Sequence, residues 1–116
     1  MLNRIQVLVI GRQAEIMDTV LHLINSTPDW EAAGALADEE AIELFQQRRF
    51  DLVLIGSGVE PESEAKLRAI FTFQSPLIRI VQHFGGGSSL LFAEIRAALT
   101  AQEEGKYALL DDPFKN

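Results

Sequence analysis

The chain has 116 residues, with 17 acidic side chains against 10 basic ones and a net charge of −7. That length suits one domain around one core, and 47% hydrophobic with 23% charged residues is the ordinary balance of a soluble globular chain. The acid excess excludes a general nucleic-acid or anionic-membrane binder, which needs clustered Lys and Arg. With no cysteine, disulfides, thiolate catalysis and Cys-ligated zinc are excluded as well. No apolar run approaches about 18 residues, and the first residues lead straight into a strand without a secretion-signal pattern. A cytoplasmic location is therefore expected.

The first element is IQVLVI, Ile5–Ile10, an apolar run stopped by Gly11 and Arg12. It reads as a central strand. Ile16, Val20, Leu21, Leu23 and Ile24 then recur at helical spacing, which predicts a helix over residues 14–25. Pro28 and Asp29 break it. Residues 30–36, with Ala32, Ala33, Gly34 and Ala35, predict a weaker strand at a sheet edge. Asp38 is placed as the N-cap of a second helix, with Glu39 and Glu40 in its first turn and Arg48 and Arg49 at its far end, each where the dipole favours it.

Residues 50–58, FDLVLIGSG, are the middle of the chain's organisation. Leu52, Val53, Leu54 and Ile55 show no alternation, as in a strand buried on both faces. In such sheets chemistry sits beyond the carboxyl ends of the strands. Here that place holds Gly56, Ser57 and Gly58, and Gly56 offers no nucleophile, acid or ligand. A third helix is expected over residues 62–73, a fourth strand over 77–81, and a fourth helix over 89–102 ended by Gly105. YALL, residues 107–110, reads as a short fifth strand. Strand and helix alternate throughout, so the fold class is α/β, a doubly wound parallel sheet with right-handed crossovers.

The stretches VLVIGR (7–12), AIELFQQRRFDLVLIG (41–56), PLIRIVQH (76–83) and GKYALLDDPF (105–114) make nearly the whole chain resemble the receiver domains of two-component response regulators. The resemblance implies a flavodoxin-like, CheY-like five-stranded sheet of order 2-1-3-4-5. Receivers accept a phosphoryl group on an Asp ending the third strand, with Mg²⁺ held by two acids after the first. A hydroxyl residue ends the fourth strand, and a Lys-Pro turn follows the fifth. Position by position, the acidic pair falls on Gly11 and Arg12, the acceptor on Gly56, the hydroxyl on Val81 and the Lys on Asp112, with Pro113 and Phe114 in agreement. Mg²⁺ needs oxygen ligands, and phosphoryl transfer needs an acceptor and charge neutralisation. A receiver-like module without phosphorylation, metal, cofactor or catalysis is thus expected. About two residues follow Phe114, so the family's fifth helix has no counterpart. The sheet face beside the first helix should then be bare, and bare apolar faces mark interfaces. A homodimer or a signalling protein is expected to cover it, unless a shifted fourth helix or the tail does.

Other constellations carry rival readings. Arg12 and Asp112, charge-swapped relative to the family, either form a salt bridge or remain separate solvated charges. Gly85, Gly86, Gly87, Ser88 and Ser89, with the other glycine loops, either cradle an anion or nucleotide through backbone N–H groups or only make turns and a helix cap. No Walker lysine or G-x-G-x-x-G is present. His83, with Ser88, Ser89 and Glu60, lacks a nucleophile elbow and reads as a loop residue lining the vacated pocket rather than a catalytic base. The acids Glu60, Glu62 and Glu64 read as a solvated face. Trp30 reads as a packing residue, or, if exposed, as an anchor for a partner.

Overall fold

The two runs richest in branched apolar residues, β1 (Ile5–Ile10) and β3 (Leu52–Gly56), lie side by side at the centre of a parallel sheet. A computed structural model describes residues 4–83 and 88–111 of the chain. β2 (Trp30–Ala35) pairs outside β1, and β4 (Arg79–His83) pairs outside β3, giving the order β2-β1-β3-β4. Val7, Leu8 and Ile10 of β1 and Leu52, Val53 and Ile55 of β3 are fully buried, as their position requires. The edge strand β2 carries small residues for a different reason. A Cβ on Gly34 would lie 2.5 Å from Met17 Sδ and 3.0 Å from Leu21 Cδ1, so glycine lets α1 (Ala14–Asn25) sit tightly on the sheet.

The sheet is covered on both faces. On one, α2 (Asp38–Gln47) and α3 (Pro61–Gln74) bury Ala41, Phe45, Leu67 and Phe71 against Leu8, Ile10, Val53 and Ile55. Phe45 and Phe71 pack with ring centroids 4.3 Å apart. On the other, α1 and α4 (Ser88–Asp111) cover Val7, Val9, Leu52 and Leu54 with Met17, Ile24, Leu91 and Ile95. Phe92 meets Trp30 edge-on at 6.0 Å, and the Arg96 guanidinium lies over both rings. Trp30 is therefore buried packing. No helix among the described residues is long and apolar enough to cross a membrane.

Three expectations change. First, the fold class stands, but the described sheet has four strands rather than five, because residues 107–110 lie inside α4. A four-residue apolar run does not by itself separate strand from helix. Gly105, which costs a helix about 1 kcal/mol, does not end this one, flanked as it is by Gln, Glu, Lys, Ala and Leu. Second, the face beside α1 is not bare. α4 occupies it, so the patch on which the expected dimer rested is filled from within the chain. Third, boundaries move. β4 begins and ends two residues later than expected, and Asp38 is the first residue of α2 rather than its N-cap, which is Ala37.

Candidate functional site

The four strands end level with one another. Ile10 is in register with Ala35 and Ile55, and Gly56 with His83. This brings Gly11 and Arg12 after β1, Leu36 to Asp38 after β2, Gly56 at the end of β3 with Ser57 and Gly58 beyond it, and His83 at the end of β4 to one edge.

Arg12 organises that edge. Its Nη2 donates to Asp38 Oδ1 at 2.7 Å and to Glu60 Oε1 at 3.0 Å, its Nε donates to the same Glu60 oxygen at 3.2 Å, and its Nη1 donates to the Leu36 carbonyl at 3.1 Å. Lys66 Nζ completes the group at 2.9 Å from Asp38 Oδ2. Asp38 is 8% exposed. Burial pushes its carboxyl pKa up, but hydrogen bonds from Arg12, Lys66 and Ser63 outweigh that and hold it at about 2. The Asp38 hydrogen bond likewise raises the Arg12 pKa against the opposing effect of burial. Glu60, on the surface, is held below the ordinary carboxylate value by a backbone hydrogen bond and by Arg12. Two carboxylates at the carboxyl edge of the sheet are thus committed to cations supplied by the chain itself. Among the described residues no three His, Asp or Glu side chains converge on one point.

Beside this network lies a cavity of about 210 Å³. Gly11, Arg12, Gly56 to Gly58 and His83 form its rim, and Val9, Ile16, Met17, Val20 and Leu54 its apolar wall. A Cβ on Gly56 would lie 3.4 Å from the Ile10 carbonyl oxygen, an ordinary contact, so the backbone itself does not demand glycine there. His83 belongs to β4 and not to a loop, and its Nδ1 lies 2.5 Å from Glu94 Oε1 on α4. An ionised carboxylate only accepts, so Nδ1–H is the donor in that bond. Glu60, named with His83 from the sequence, belongs instead to Arg12.

The other named positions separate. Val81 pairs with Leu54, two residues short of the strand end, and His83 takes the place opposite Gly56. Asp112 and residues 85–87 lie outside the described residues, so the Arg12–Asp112 bridge and the glycine cradle have no geometry here. Ser88 opens α4, and Ser89 is exposed. Sequence reasoning missed Asp38, Lys66 and Glu94 as members of this edge. One signal for Asp38 was available: with β2 beside β1, the residues after β2 must adjoin those after β1, and a lone Arg there needs an acid.

No family model matches the chain, and no curated protein matches it. Solved structures do. A signal receiver domain of an HD domain-containing protein from Pseudomonas fluorescens Pf-5 superposes with a TM-score of 0.74 at 18% identity, covering 88% of this chain and 99% of that one. The chemotaxis protein CheY4 of Vibrio cholerae gives 0.56 at 20% identity over 82% and 80% of the two chains. A response regulator receiver protein from Pseudomonas putida gives 0.55 at 22% identity over 84% and 82%. The fold is that of receiver domains, with four strands among the described residues.

Proposed function

We propose that this chain is a receiver-like regulatory or protein-interaction module in signal transduction that neither accepts a phosphoryl group nor catalyses a reaction. The observation that carries the proposal is that Gly56, at the end of β3, and Arg12, two residues beyond the end of β1, line the same cavity at the carboxyl edge of the sheet. An acyl-phosphate needs a carboxylate at the first position, and Mg²⁺ needs oxygen ligands at the second. This edge supplies bare backbone and a guanidinium. Two acids of this edge, Asp38 and Glu60, are already neutralised by Arg12 and Lys66, and a third, Glu94, is bonded to His83. Binding them to a metal means breaking those ion pairs. The module then acts through a constant surface rather than a switch. The absence of cysteine fits a reducing compartment such as the cytoplasm.

The test is a magnesium titration followed by backbone amide NMR. The amides of Gly11, Arg12 and Gly56 are expected to hold their positions through millimolar Mg²⁺. Saturable shifts centred on these three residues would overturn the proposal. The rival reading, an anion or nucleotide sensor, gains little from the geometry, because the cavity wall is apolar and the Arg12 cation is already paired.

A further inference from the structure

We infer that β4 is a self-association edge, where two copies of this chain pair antiparallel about a two-fold axis at Val81. The inference stands independently of whether the Gly56 edge is inert. β4 is terminal in the sheet, and among the described residues no strand pairs with its outer side. Unpaired edges are templates for another strand unless they are blocked by proline, a bulge or inward charges. β4 runs Arg79, Ile80, Val81, Gln82 and His83, with no proline or glycine in it; its one blocking feature is Arg79, an inward charge that a partner of opposite charge would neutralise. Its approach is also unusually apolar at the surface. Phe73, in the last turn of α3, is 88% exposed, and Leu77, just before the strand, is 76% exposed.

Charge complementarity selects a second copy as the occupant. Residues 79, 81 and 83 share the sheet face covered by α4, since Val81 packs there and His83 meets Glu94. Two-fold antiparallel pairing at Val81 sets Arg79 opposite His83 of the other copy, and so beside the Glu94 that holds that histidine. Among the described residues, Arg79 Nε is shut off from solvent with no hydrogen-bond partner. A carboxylate supplied across the edge gives the Arg79 guanidinium a partner once the side chain turns toward it, and the symmetry makes the contact twice. Directly opposed side chains on one face lie about 5 Å apart, within reach of an arginine. The strand is short, which fits a reversible dimer rather than an obligate one.

Sedimentation equilibrium of the whole chain tests this, using wild type, Arg79→Glu and Glu94→Arg. Wild type is expected to show reversible dimerisation. Each reversal sets like charges in apposition and should weaken the dimer at least about tenfold. An equimolar mixture of the two variants restores opposite charges at both contacts and should recover association. Three results overturn the inference: a wild type that stays monomeric, a dimer indifferent to both reversals, or a mixture that stays dissociated. Circular dichroism checks that each variant is folded. If either is not, amide exchange of wild type decides, with residues 79–83 expected to gain protection as concentration rises. Unchanged protection contradicts the pairing.

Discussion

Replacing Arg12 with Met keeps much of the side-chain volume and removes the charge that holds Asp38 and Glu60. The Asp38 carboxylate is 10% exposed and the Arg12 side chain 22%, which puts the pair between a surface bridge, at about 0–1 kcal/mol, and a buried one, at about 3–5 kcal/mol for loss of one partner. The depressed pKa gives a second route to the same figure. Asp38 falls from 3.8 to about 2. At roughly 1.4 kcal/mol per unit, ionised Asp38 contributes on the order of 2 kcal/mol to folding. The sign follows from the direction of the shift. The contribution is complete above the unfolded value near pH 4 and is lost as pH falls through about 2. Lys66 and Ser63 still serve Asp38 without Arg12, so Arg12→Met is expected to lose about 1–2 kcal/mol at pH 7, or about 4–8 °C in Tm. The gap to wild type should narrow between pH 4 and pH 2, because the unfolded chain and the variant take up the Asp38 proton first and the folded wild type is about half protonated by pH 2. Urea unfolding across that range measures it. A deficit below about 0.5 kcal/mol at pH 7, or one equally large at both ends, would refute the reasoning.

Gly34→Ala should destabilise by about 1–3 kcal/mol through overpacking against Met17 and Leu21, whereas Gly56→Ala should stay within about 0.5 kcal/mol of wild type; chemical denaturation of the two side by side distinguishes them. Phe71→Ala, at a fully buried ring tilted against that of Phe45, should cost about 3–5 kcal/mol in the same assay. Phe92→Ala removes the ring that lies edge-on to the sole tryptophan, so Trp30 emission should shift to the red. An unchanged spectrum would mean that α4 does not cover β2 in solution.

Legibility tracked the range of the interactions involved. Ile5–Ile10 and Ala14–Asn25 were readable to the residue, because an apolar run and a helical repeat are local patterns. β4 was misplaced by two residues because Gln82 and His83 read as loop. Their polar groups are accommodated by Glu64 of α3 and Glu94 of α4, neighbours visible only in the fold. YALL read as a strand because four apolar residues carry no period, and the length of the helix containing them decides the matter. Gly11, Arg12 and Gly56 could be placed at one edge from strand order alone. The ion pair between Arg12 and Asp38 joins residues 26 apart, and the sequence offered Asp112 as an equally reasonable partner.

The account rests most heavily on the carboxyl end of β3 offering no group to phosphorylate. Intact-mass spectrometry after incubation with acetyl phosphate and magnesium tests that most directly. The account predicts the unmodified mass alone. A stoichiometric gain of one phosphoryl group, removed by hydroxylamine as an acyl-phosphate is, would contradict it.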